Sequence, residues 1–392
     1  MTRPANAVDF DSAAAILDAA ANPIDLFGPI AADGNLTGAI HRYRRLARLV
    51  HPDVAPDAAR AHALFARLSQ LYAQFTTATT TRVTVRTGRG TVSVGPLLAQ
   101  GDIANVYAAD HAHPRRGSGA PTGVPTATVP AVWKVTRDPR HNDLIEAEAH
   151  ALGRIASHGD PRFAPYLPQL LDAFTHRQAD TGIHRRTTVL QRIDGFVSFA
   201  QLLDTFPGGL DPRDAAWMWR RLLVAIGTAH RAGIVHGAVV PEHVFVEPDE
   251  HGLVLVDWCY AVDTACYPGA PITAVVTARR MLYPSEVFAK QSATAATDIY
   301  LASRLMALLM GQRTPKPMQA FIAGCTRTNP AGRPSDAWAL LEELDELLHR
   351  MYGPRRFRPF HLPADLPRSG HSVPATTTTA TGDPGTAHQK ED

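Results

Sequence analysis

The sequence predicts an α+β protein: an all-helical hairpin at the N-terminus, then a two-lobed body with strands first and helices after. Three observations carry this. Apolar residues recur at helical spacing over residues 23–76. Period-two alternation takes over from residue 82, in "RVTVRT" and "TVSVG". Beyond residue 200 long helical patterns return, and blocks of strands followed by blocks of helices mark α+β.

In the hairpin, "GNLTGAIHRYRRLARLV" places Ile40, Tyr43, Ala47 and Val50 on one stripe, with Leu46 beside it. The opposite face carries His41, Arg44, Arg45 and Arg48. Pro52 disfavours helix at His51 and ends the run. A second helix brings Leu64, Phe65, Leu68, Leu71, Tyr72 and Phe75 onto one face. Residues 1–22 read as an extension, and "TTATTT" (residues 76–81) as a polar linker, counted as residues 77–81.

"NVYAAD" and "PAVWKVT" are further strands, and the Pro- and Gly-rich stretch between them reads as a floppy loop. "DAAWMWRRLLVAIGTAHRAG" is a long amphipathic helix stopped by a glycine. "VFVEPDEHGLVLV" is a hairpin around a polar turn with Gly252. "TDIYLASRLMALLMG" and "DAWALLEELDELLHRMY" are helices. The tail, residues 352–392, is expected to be disordered where Pro, Thr and Gly crowd, from residue 361 on.

Composition narrows the function. The chain has 392 residues, 45% hydrophobic and 19% charged, which is ordinary globular material with room for two or three domains. A net charge of +2 gives no reason to expect nucleic acid or an anionic membrane as partner. The N-terminus has acidic residues where a signal peptide needs a basic and then an apolar run, and no apolar stretch is long enough to span a bilayer. Cys259, Cys266 and Cys325 make neither a disulfide framework nor a CxxC metal site, which fits a cytoplasmic setting. Basic residues are almost all arginine: between Met1 and Ala289 the one lysine is Lys134.

The segment 23–76 resembles a J-domain of the DnaJ co-chaperone family. "DLFG", the basic helix, the tripeptide His51-Pro52-Asp53 and "FARLSQLYAQF" carry the resemblance. It implies that His51, Pro52 and Asp53 trigger the ATPase of a DnaK-type chaperone. Arg44, Arg45 and Arg48 would then form the docking face that steers an acidic partner surface. There is no Gly/Phe-rich segment and no cysteine-rich zinc module, so a client or signalling partner would be met through the rest of the chain.

Residues 82–351 resemble a protein kinase, with its landmarks in order. "LLAQGDIANVYAAD" stands where a Gly-rich loop would, with Gly101 kept and Ala99 and Ala104 in the other glycine positions. By the resemblance, ATP would be met by Gly101, Val106, Val132, Lys134 and Glu148, with Glu146 the second choice for the helix acid. Lys134 in "AVWKV" is the phosphate-gripping position, which needs a compact point charge. In "GIVHGAVVPEHVFV", His236 and Pro241 keep the scaffold of the catalytic loop. There the family's Arg is Gly237, its catalytic Asp is Ala238, its Lys is Val240 and its metal-binding Asn is His243. Asp257 in "VDWCY" keeps the position of the Mg²⁺ ligand, Glu286 is expected to pair with Arg333, and Asp298 completes the set.

The losses fall on chemistry and the retained residues on fold and nucleotide grip. Phosphoryl transfer rests mostly on positioning, but the acceptor hydroxyl must still be oriented and its proton accepted. Alanine does neither, so no catalytic residue is expected in the loop His236, Ala238, His243. The leading expectation is a J-domain co-chaperone carrying a pseudokinase as a nucleotide-gated or inert binding module. The rivals are an active phosphotransferase with a displaced base such as His243, and a non-catalytic scaffold. A lone loop histidine is more often a hydrogen-bonded surface residue than a base or metal ligand. With Gly237 in place of Arg, Thr264, Thr273 and Thr277 are poor candidates for a phosphorylation switch.

Overall fold

The computed structural model describes residues 5–20, 23–27, 37–52, 55, 57–80, 83–113, 128–177, 182–363, 366, 368 and 369. It is of the α+β class, with an antiparallel sheet.

The N-terminal part is α1 (Ala5–Ala19), α2 (Pro23–Phe27), α3 (Thr37–Leu49) and α4 (Ala58–Thr80). Helices α3 and α4 form the expected hairpin. Residues 1–22, expected as an extension, contain α1, and its Phe10, Ala13, Ala14 and Leu17 share one core with Leu46, Leu64 and Leu68. Helix α3 is therefore covered by both α1 and α4. That rotates its buried stripe to Ala39, Leu46 and Val50, leaving Ile40, Tyr43 and Ala47 half-buried. Phe27 from α2 packs against Tyr72 and Phe75, and Tyr43 stacks on Tyr72 at 4.2 Å.

The expected linker is a correction: α4 runs on through it as far as Thr80. Threonine costs a helix only tenths of a kcal/mol per residue. At Thr76 the hydroxyl finds partners inside the helix, Tyr72 O and Ala73 O, each at 3.0 Å.

The sheet follows: β1 (Val83–Arg86), β2 (Thr91–Gln100), β3 (Ala104–Ala112) and β4 (Thr128–Thr136), then α5 (Asn142–His158), β5 (Leu170–Arg177) and β6 (His184–Gln191). Strand order is β1-β2-β3-β4-β6-β5, antiparallel throughout. The floppy loop expected between β3 and β4 lies, over residues 114–127, outside the described residues.

The helical body holds β7 (Val197–Ser198), α6 (Phe199–Thr205), α7 (Pro212–Arg231), β8 (Ile234–Val235), β9 (Val244–Glu247), β10 (Gly252–Leu255), β11 (Val262–Asp263), α8 (Ser285–Phe288), α9 (Ala295–Met310), α10 (Lys316–Cys325) and α11 (Ala337–Tyr352). Helix α7 starts as its sequence dictates: the Asp211 carboxylate accepts from Arg213 N, and Pro212 occupies the first turn. It stops before Gly233, whose φ of +78° favours glycine. Trp219, Trp258 and Phe199 are fully buried at the centre of this body. Arg333 and Glu286 are a buried two-point ion pair, at 2.5 and 3.1 Å.

Beyond α11 the chain does not leave the surface at once. Ser369 N donates to Phe196 O and Gly195 N donates to Ser369 O, both at 2.7 Å, and Phe360 is buried. Order thus reaches past residue 361, where disorder was expected, while residues 370–392 lie outside the described residues. All three cysteines are free. Among the described residues no helix is long and apolar enough to cross a membrane.

Candidate functional site

Strand β4 and the turn after β10 meet at Lys134. Its Nζ donates to Glu148 Oε1 at 3.0 Å and to Asp257 Oδ1 at 2.8 Å. Glu148 comes from α5 and is fully buried. Its Oε2 accepts from Thr188 Oγ1 at 2.7 Å, and Oε1 accepts also from Trp258 N at 3.2 Å. A buried carboxylate must be this well satisfied, because each unmet lone pair costs desolvation energy. Glu146, the second choice, faces outward and pairs with Arg186.

Burial opposes ionisation of Lys134, but Asp257 above all, with Cys259 and Glu148, holds its pKa well above the ordinary lysine value. Burial likewise acts to raise Asp257, and Lys134 with His243 overcomes it, keeping that carboxyl well below the usual range. The ion pair is therefore complete at neutral pH. The Asp257 backbone is left-handed, φ 62° and ψ 67°, an unusual conformation that a non-glycine residue keeps only where its surroundings enforce it.

The loop after β8 is pinned from behind by Asp298. Its two oxygens accept from the backbone N–H groups of His236 (2.7 Å) and Gly237 (2.9 Å), and Oδ2 also faces His230 Nε2 at 2.9 Å. Ala238 N donates to His236 Nδ1, and His236 Nε2 lies 3.1 Å from Val256 O. A carbonyl only accepts, so the network assigns the proton to Nε2 and a neutral ring. Burial agrees, pushing the His236 pKa down to about 4.

Gly237 has φ +75°, and a Cβ there would come within 2.6 Å of Tyr260 O. Glycine at this position meets a backbone requirement as well as lacking a guanidinium. Ala238 is fully buried and brings no functional group into the cleft.

His243 corrects one expectation, since it is buried rather than at the surface. Its Nδ1 lies 2.9 Å from Ala238 O and its Nε2 lies 3.3 Å from Asp257 Oδ2. Both ring nitrogens are thereby engaged. The remaining expected residues lie in register: Val106 pairs with Lys134 and Val132 with Ala108 across β3 and β4. Gly101 turns its N–H into its own turn, donating to Ala104 O at 2.9 Å.

Ligand atoms of Glu148, Asp257 and Cys259 lie within 4.8 Å of one another, but the Lys134 ammonium already bridges the two carboxylates. The better place for a cation is the other side of Asp257, where Oδ2 faces His243 Nε2. A second group, His150, Asp263 and Cys266, is threaded by the Arg154 guanidinium, 3.5 Å from Asp263 and 3.6 Å from Cys266 Sγ. Thr188, the support of Glu148, carried no signal in the sequence, because any small residue satisfies a strand pattern.

The second candidate surface is on the helical hairpin. Arg44, Arg45 and Arg48 are all exposed on α3. His51 is exposed too, edge-on to Phe65 at 5.5 Å, and Pro52 follows in the turn. Asp53 lies outside the described residues.

The fold and its cleft thus define an α+β protein with a buried Lys–Glu–Asp network and a neighbouring helical module. No known protein-family model matches the chain, and no curated protein is significantly similar to it.

Proposed function

We propose that the chain is a J-domain co-chaperone whose second domain is a kinase-like module that grips but does not transfer phosphate. The observation that carries the reading is the exposed arginine row of α3 running into the exposed His51 and the half-buried Pro52 of the following turn. A cationic helix face ending in a rigid turn suits an acidic chaperone surface, by charge steering and by a preformed contact.

The cleft supports the second half. Lys134 held by Glu148 and by Asp257 is the anchoring arrangement of a nucleotide site. ATP would meet the Lys134 ammonium through its phosphates, and a metal ion would meet Asp257. Bound magnesium would supply charge neutralisation at those phosphates. The turn at Gly101 and the histidine at position 243 fit that ligand less well, since one withholds an N–H and the other offers nitrogen to a hard cation. A proton acceptor for an incoming hydroxyl is not supplied by Ala238. His243 would serve only after its Nε2 turned from Asp257 toward the acceptor, with Nδ1 kept on Ala238 O.

The test is the steady-state ATPase rate of a DnaK-type chaperone from the same organism with full-length protein added. Stimulation is expected, and His51→Gln should abolish it without lowering the melting temperature. A rate unchanged by the wild-type protein would remove the reading.

A further inference from the structure

We propose that a basic groove on the helical body, sharing no residue with the Lys134 cleft, docks an acidic peptide segment of a partner protein. This goes beyond the co-chaperone reading and does not depend on it. The groove, of about 1250 Å³, lies between α7, the end of α11 and the strap of residues 353–358. Seven arginines line it against two carboxylates, Asp345 and Glu346, so its potential is strongly positive.

Part of that charge is spent, since Arg350 pairs with Glu346 and Arg358 with Asp211 and Asp214, but Arg213, Arg221 and Arg356 keep the lining net positive. Arg220 and Arg355 share the single Asp345 carboxylate. Arg221 rests against the Tyr166 ring and hydroxyl, and Arg213 lies over Tyr352 at 5.1 Å. Arg356 is exposed on the strap. Guanidinium forks match carboxylates two bonds at a time, and a row of them fits a row of Asp and Glu side chains.

The aromatic side of the groove points to a ligand independently. Trp217, His251 and Phe357 form a continuous stack, with ring centroids 4.0 and 4.5 Å apart. Phe357 caps it while 64% exposed, an open face for an aromatic or aliphatic side chain. His251 is only 8% exposed, yet its Nε2, like Trp217 Nε1, has no hydrogen-bond partner among the described residues. Both atoms are shielded from solvent, so they reflect the closeness of the aromatic stack, and the open contact face is Phe357. His251, at φ +60°, is the last residue of the turn between β9 and β10, which presents its ring to the stack. The groove is also larger than the usual small-molecule pocket of about 300–1000 Å³, which favours an extended peptide.

The experiment is fluorescence anisotropy of the full-length protein with a short labelled peptide of Glu and Asp around one Tyr. Saturable binding that weakens with ionic strength is expected, with none for the Gln/Asn version of the peptide. The double variant Arg221→Glu, Arg356→Glu should lose at least about tenfold in affinity. Phe357→Ala should lose several-fold with the salt dependence unchanged. These three side chains are exposed, and unchanged thermal unfolding checks the fold. An acidic peptide that does not bind, or binds the charge-reversed variant equally, overturns the proposal. So does equal binding of an oligonucleotide of the same charge, or full competition by inorganic phosphate. Neither chaperone nor ATP enters the assay, so its failure leaves the co-chaperone reading standing.

Discussion

Lys134 is the one lysine of the first 289 residues, and its Nζ bridges two carboxylates in the cleft. Its position was legible because an arginine-using chain spends a lysine there. The loop next to it was legible only in part. Gly237 reads as a missing arginine, whereas the fold also demands glycine there, because a Cβ would press on Tyr260 O. Gly237→Ala should therefore destabilise by roughly 1–3 kcal/mol, read from urea unfolding. Lys134→Met leaves Glu148 buried without its cation and should cost about 3–5 kcal/mol in the same assay. His236 sets the acid limb of stability. Its folded pKa of about 4 lies below the ordinary 6.5, so the folded state binds fewer protons and stability falls as pH drops through that window. Between pH 7.5 and pH 5 the loss should be about 2 kcal/mol, and His236→Gln should flatten it.

The long amphipathic runs of α3, α4, α7, α9 and α11, and the strands of the sheet, were legible as elements. Each announces its period and its stop: Pro212 opens α7, Gly233 follows its end, and Gly353 follows α11. Two elements were missed for physical reasons. Helix α1 has the alanines of a good helix former but no clear apolar stripe, so the period that announces the other helices is missing from it, although Leu46, Leu64 and Leu68 pack with it. The last turn of α4 uses threonines that propensity alone assigns to a linker. The Glu286–Arg333 pairing was readable from its two motifs and is buried. Removing one partner, as in Glu286→Gln, should destabilise the helical body by about 3–5 kcal/mol, seen as a lower denaturation midpoint.

Three cores divide the described residues. One gathers residues from Phe10 to Phe75, and the others, in the sheet and the helical body, begin after it. A chain starting at residue 81 keeps every apolar residue of those later cores. It should unfold cooperatively by circular dichroism and, in the proposed reading, give no chaperone stimulation; failure to fold would point to the contact of α4 with β2. What the sequence left dark at this scale is spatial: the return of the chain end to Gly195 and Phe196, and the arginine groove under it, join residues more than a hundred positions apart. Charge and aromatic residues at such separations follow no local period.

In the proposed reading Lys134 would anchor phosphate, while Ala238 supplies no group to accept the acceptor's proton. Incubation with γ-labelled ATP, magnesium or manganese, and generic hydroxyl acceptors measures this most directly. The account predicts no label on any acceptor, from the wild type or from His243→Ala. Label transferred by the wild type and lost in both Lys134→Met and His243→Ala would contradict it.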